Sequence, residues 1–365
     1  MKRINHLRPP SYSMASCVHQ QWLRLDQDGN GFQLQYGNRL GHIALSLPRP
    51  AKQYPTLILF LGRQFKTRAL KAIFPGNGVS NCRRPGIANV SPDSSTVDDD
   101  YPLLLADCTS EHTQPDSSRG GSCHETTTHP IAWPDDGRPL TRQDVTDCIQ
   151  ARLLSLFTGV VCIFAQDYSG LDGVAEKLAA WTSTGSASSL PASTCPRLVV
   201  VANIPGPRFR SEALCFRLRV LADSKFPRSF SSLQVVNIPG PNRTPSREHL
   251  SGLGVILTEE AAAARLERIS THTLFSMTHV AAFFDVALRG FAASPWHTFD
   301  FIRCTREDNP VHPSFQRHLT SLMTISSEHQ LPGSALWEFI ASAIIMDAFP
   351  PDMHRKCDAC STVAR

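Results

Sequence analysis

Five short runs of nearly unbroken apolar residues, at 57–61, 102–106, 159–165, 198–202 and 233–236, limit the folds open to this chain more than any other feature. A strand with one wet face alternates apolar and polar side chains, whereas a run that is apolar throughout needs cover on both faces. Between and beyond these runs, apolar residues recur at three- and four-residue spacing, as at 67–74, 145–156, 174–181 and 212–222. That is the period of a helix with one buried stripe. Doubly covered strands alternating with helices predict an α/β domain, a mostly parallel sheet flanked by helices. Of the 365 residues, 41% are hydrophobic and only 19% charged, which is enough apolar material for such a core.

Elements of other kinds flank this pattern. Asp26-x-Asp28-x-Asn30-Gly31 matches the first half of a calcium loop, but the twelfth position, where a bidentate carboxylate is needed, is Gly37. Phe32, Leu34 and Tyr36 alternate with polar residues, so the segment reads as an N-terminal β-hairpin turning at 28–31. Residues 42–47 read as a further strand. Thr141-Arg-Gln-Asp144 has the form of a capping box opening a helix. Beyond 246 the pattern turns helical, with expected helices at 258–269, 274–291 and 333–349.

These features divide the chain into a disordered leader (1–18), an α/β domain (19–245), a helical part (246–350) and a cysteine-containing tail (351–365). Gly-, Pro-, Ser- and Asn-rich stretches near 75–100, 108–138 and 182–194 read as disordered insertions in the α/β domain. Periodicity alone leaves open whether the helical part is a second domain or a cap on the sheet.

The first apolar run leads into Gly62-Arg-Gln-Phe-Lys-Thr67 and then a helical pattern. Strand, turn and helix with Lys-Thr at the turn is the layout of a phosphate-binding loop. In that loop glycines let backbone N–H groups wrap the phosphates, a lysine neutralises them and a hydroxyl holds magnesium. Gly62, Lys66 and Thr67 are the candidate nucleotide-binding residues, with Asp107, at the end of the second run, as the metal-anchoring carboxylate. With Lys66 on the motif lysine, however, Phe60 and Phe65 occupy the two glycine positions. Either the loop is shortened around Gly62 or the domain has lost its nucleotide. The expected fold is therefore P-loop NTPase-like with a degenerate loop. The alternatives are no cofactor, or GTP or ATP with magnesium.

Other motifs are weaker. His124 and His129 are five residues apart, with three threonines between them, and do not match a helical zinc site. Asn-Ile-Pro-Gly-Pro occurs twice, at 203–207 and 237–241, each time directly after an apolar run. It is either a strand-stopping turn or a turn at the ligand-binding edge of a parallel sheet. A guanine-reading Asn-Lys-x-Asp is missing, since Ile204 follows Asn203. Cys357-x-x-Cys360, with His354 nearby, is half of a zinc site. No metal ligands and no catalytic residues are assigned.

The segment Val160–Ala179, with its core Phe164-Ala-x-Asp167-x-x-Gly170-Leu-x-Gly173-Val-Ala175, together with 339–354, resembles the N-terminal region of large fungal patatin-like phospholipase proteins. That resemblance implies a GTPase-like domain, often degenerate, ahead of a cysteine-rich segment and a patatin domain. The Gly-x-Ser-x-Gly nucleophile turn of a patatin is missing from this sequence, so the kinship would cover only the front part, and Cys357 and Cys360 would be a truncated zinc module.

The functional expectation is a non-catalytic regulatory or interaction module with a protein partner. The alternative is a magnesium-dependent nucleoside triphosphatase using Lys66, Thr67 and Asp107. A net charge of +4 on this length gives no basis for nucleic-acid binding. The apolar stretch at 274–293 is interrupted by His279, Asp285 and Arg289, so no membrane span is expected. Eleven scattered cysteines and an N-terminus without an apolar signal core favour a reducing, cytoplasmic setting.

Overall fold

The computed structural model describes residues 21–29, 31–77, 88–109, 125–133, 140–238, 247–304, 314–330 and 332–348. The expected leader, the cysteine tail, His124 and most of the second Pro-Gly-Pro copy lie outside them. The chain divides into two compact units, residues 1–299 and 300–365.

A nine-stranded sheet forms the first unit. Its strands are β1 (Gln21–Asp28), β2 (Gly31–Gly37), β3 (Thr56–Gly62), β4 (Ala88–Pro92), β5 (Leu103–Thr109), β6 (Thr126–Pro130), β7 (Thr158–Phe164), β8 (Arg197–Ala202) and β9 (Ser232–Asn237), in the spatial order β6-β2-β1-β4-β5-β3-β7-β8-β9. The five apolar runs are β3, β5, β7, β8 and β9, and every pairing among them is parallel. The hairpin is present too, with β1 antiparallel to β2 and Asp28 opposite Gly31.

The sheet as a whole is mixed, not mostly parallel. The hairpin joins the same sheet through β4, which is antiparallel to both β1 and β5, and β6 pairs antiparallel with β2. β4 and β6 fall inside stretches whose composition suggested disorder. In β4 only Ala88 and Val90 face the core, and β6 is Thr-Thr-Thr-His-Pro at the sheet edge. Neither carries enough apolar residues to stand out from a loop. The Ser-rich stretch at 182–194 is ordered as well, with a short 3-10 turn at Ala192–Thr194.

The helices of this unit are α1 (Arg39–Ser46), α2 (Gln64–Ile73), α3 (Arg142–Cys148), α4 (Leu171–Ser183), α5 (Gly206–Leu221), α6 (Arg247–Ser270) and α7 (Met277–Ala293). α1 replaces the strand expected at 42–47. Leu40, Ile43 and Leu47 are buried while Leu45 is 86% exposed, a three- and four-residue spacing that only a helix satisfies. The capping box of α3 is formed, with Thr141 Oγ1 accepting from the Asp144 N–H and Asp144 Oδ2 accepting from the Thr141 N–H. α3 continues through a π turn and a 3-10 turn into β7.

α2 and α6 pack on one face of the parallel strands. Leu250, Leu253, Leu257 and Ala261 of α6 share a core with Ile58 and Phe60 of β3, Val160, Cys162 and Phe164 of β7, and Val199 and Val201 of β8. This part of the expected helical region is a cap on the sheet. Phe284 of α7 meets Trp22, Tyr36 and Phe157 at ring distances of 5.0 to 5.4 Å, which fastens the hairpin to the rest of the unit. The second unit contains α8 (Phe301–Cys304), α9 (Phe315–Glu328) and α10 (Gly333–Ala348). None of the helices among the described residues is long and apolar enough to cross a membrane.

Gly173, in α4, has a specific reason to lack a side chain, since a Cβ there would lie 1.6 Å from the Tyr168 carbonyl oxygen. At Gly252, in α6, a Cβ would meet nothing within 4 Å. Gly173→Ala should therefore lower the unfolding free energy by roughly 1–3 kcal/mol through overpacking. Gly252→Ala should raise it by roughly 0.5–1 kcal/mol through helix propensity. Urea unfolding of both variants checks the contrast.

Candidate functional site

The order β5-β3-β7 places the first parallel strand between its two successors. The crevice outside the carboxyl ends of such strands is where open α/β sheets bind ligands. Three chain segments meet there: the Gly62–Lys66 turn after β3, Asp107 and Cys108 near the end of β5, and the 3-10 turn Ala165–Tyr168 that follows β7. Register brings them level, with Phe60 beside Asp107 and Leu61 beside Cys108 on β5, and Leu61 beside Ile163 on β7.

The turn itself is very short. β3 ends at Gly62 and α2 begins at Gln64, so no long loop arches over a ligand. Phe60 and Phe65, at the motif's glycine positions, are buried in the core. Phe65 packs against Phe164 at 5.8 Å and Phe60 against Phe74 at 6.1 Å.

A helix begins with backbone N–H groups that have no partner within the helix. Arg63, at the N-cap of α2, supplies no side-chain cap. The carboxylate of Asp167 does so from the turn after the neighbouring strand. Its Oδ2 accepts from the N–H of Arg63 at 2.7 Å and of Lys66 at 3.1 Å, and its Oδ1 from the N–H of Phe65 at 3.2 Å. These are the kind of donors that a phosphate-binding nest turns towards its anion, and here they already hold one. Gly62 makes the approach possible. Its φ is +152°, and a Cβ there would come within 2.6 Å of Asp167 Oδ2.

Lys66 and Asp107, chosen from the sequence, are brought together, but with each other. The Lys66 side chain is fully buried and its Nζ forms an ion pair with Asp107 and donates to the Cys108 carbonyl at 2.5 Å. Burial pushes the Cys108 thiol far up from its ordinary range, so it contributes no thiolate to this site. Thr67 Oγ1 donates to the Arg63 carbonyl at 2.9 Å, one turn back along α2. All four sequence-predicted residues thus stand at the β3–β5 edge, and each polar side chain among them is engaged within the protein.

Asp167 is the residue that sequence reasoning did not assign to the site. It lies in the segment 164–175, directly after an apolar strand, but nothing local ties it to a turn about a hundred residues earlier in the chain. The rest of that segment has a role in holding it. Ser169 and Gly170 take left-handed φ values of 62° and 91°, and the Gly170 N–H closes the turn on the Ala165 carbonyl at 2.8 Å. Gly173 leaves room for the Tyr168 carbonyl.

Nearby, the repeated Asn-Ile-Pro-Gly-Pro is explained in part by Asn237. Its side chain accepts from the Ile204 N–H at 3.0 Å and donates to the Ile204 carbonyl at 2.9 Å. It binds the end of β9 to the turn after β8.

No family model matches the chain, and none of the curated proteins compared with it does. Among solved structures, the siderophore hydrolase EstA from Aspergillus nidulans aligns at 10% identity over 70% of this chain and 98% of its own, with a TM-score of 0.24. A likeness that low carries no argument about fold or activity.

Two stability outcomes follow from the geometry. Lys66→Met leaves Asp107 as a buried carboxylate without its cation and should cost about 3–5 kcal/mol, whereas the double variant Lys66→Met/Asp107→Leu should recover much of the loss. Asp167→Ala strips three N–H groups of a charged acceptor and should cost about 1.5–3 kcal/mol. Chemical denaturation of the three variants measures both.

Proposed function

We propose that this chain is a P-loop-like module that works without nucleotide, as a non-catalytic regulatory or interaction domain with a protein partner. One observation carries the reading. The backbone donors of the Gly62–Lys66 turn are taken by the protein's own Asp167. A phosphate could enter only by displacing that carboxylate. The lysine that would meet it is buried and neutralised by Asp107, and the hydroxyl that would hold magnesium is bonded to Arg63.

The P-loop-like ancestry is supported by the position of the turn after the central strand, between β5 and β7. Kinship with the front region of fungal patatin-like phospholipase proteins belongs to the same proposal. It rests on the segment 164–175, in which Asp167, Gly170 and Gly173 each have a structural task. The other stretch of that resemblance, 339–354, lies partly outside the described residues.

Thermal unfolding with millimolar Mg-GTP or Mg-ATP tests the reading on wild type and Lys66→Ala. Neither nucleotide should move the wild-type midpoint by as much as a degree. A ligand at 100 times its Kd would stabilise by about 2.7 kcal/mol, a shift of a few degrees for a chain of this size. A wild-type shift that disappears in Lys66→Ala would instead overturn the nucleotide-free reading and show that the site binds nucleotide.

A further inference from the structure

At the other end of the parallel strands, by the amino termini of β7, β8 and β9, lies a small cavity of about 30 Å³ that opens to solvent. Its wall includes Arg228, Arg268, Cys195, Ser229 and the serines at 186 and 188, and, among the described residues, no carboxylate. A buried cation normally has an acidic partner or a full set of acceptors, because desolvating it alone costs several kcal/mol. Arg152, in the adjoining structure, satisfies this with the carbonyls of Ser186, Pro295, Trp296 and His297.

Arg268 does not. Its Nη2 donates to the Thr158 carbonyl at 3.1 Å, but its buried Nε has no acceptor among the described residues. Burial pulls the guanidinium down to about 10, with the Cys195 thiol acting in the opposite direction. The hydroxyls of the wall divide in the same way. Ser155, Ser186 and Thr194 donate to carbonyls, and Ser188 accepts from the Leu190 N–H. Ser229 Oγ is buried and has no partner among the described residues.

We propose that this cavity is a binding site for a small tetrahedral oxyanion of the phosphate or sulfate class, held by Arg268 and Ser229 with Arg228 at the rim. Such an anion supplies a counter-charge that the half-buried Arg268 guanidinium does not find among the described residues, and the acceptor that both orphaned donors need. Arg228 is exposed and adds a second positive charge at the mouth. The site is separate from the turn at Gly62, where the anion is a side chain.

Inorganic phosphate, compared with chloride at the same ionic strength, is the probe. It should raise the thermal midpoint of the full chain and slow alkylation of Cys195 by iodoacetamide, read by peptide mass spectrometry. Cys215, exposed on α5, serves as the internal reference. Ser229→Ala should weaken phosphate about 5-fold, as expected for one hydrogen bond, and Arg268→Gln should weaken it at least tenfold. Equal Cys195 rates in phosphate and chloride would overturn the proposal, whether or not the midpoint moves. So would undiminished protection in Ser229→Ala, a mild change that keeps the test open if Arg268→Gln fails to fold.

Discussion

The carboxylate of Asp167 is the point on which the rest of the candidate site depends. It caps α2 from outside that helix, fixes the turn after β3 against the turn after β7, and gives Gly62 its reason to be glycine. Each of these is a local requirement of a helix N-terminus, whose first N–H groups need acceptors and whose dipole favours negative charge. A nucleotide-binding protein leaves that requirement open for its ligand. This one meets it internally.

The Lys66–Asp107 pair extends the same logic one strand further. A lysine and an aspartate at these positions would serve a magnesium nucleotide if both pointed outwards. Here the lysine lies fully buried against β5 and its charge is balanced before any ligand arrives. The contrast with the cavity at the far end of the strands is physical. At one end the buried cation has a carboxylate beside it, and at the other a half-buried guanidinium lines a cavity whose wall, among the described residues, has none.

Much of the scaffold was legible because burial on two faces leaves a plain mark in the sequence. All five apolar runs are parallel strands, and the hairpin turns where Asp28 and Gly31 suggested. What escaped were elements whose stability comes from neighbours. Ala88–Pro92 is a strand because β1 and β5 lie on either side of it, and Thr126–Pro130 because β2 offers an edge. Leu40, Ile43 and Leu47 mark α1 by spacing, but the alternation within 42–47 masked it. At the site, Lys66 and Asp107 were found because a motif places them at strand ends. Asp167 was not, because its partners are backbone N–H groups, which have no signature in side-chain identity.

An occupant that is part of the chain differs from a diffusing one in how it competes. The local concentration of the Asp167 carboxylate at the α2 terminus is set by the geometry of two adjacent strands and not by the abundance of anything in solution. The junction between β3 and β7 is therefore held by an acceptor that is present in every copy of the fold. That end of the sheet has the constancy of a structural joint, closed by the chain's own carboxylate.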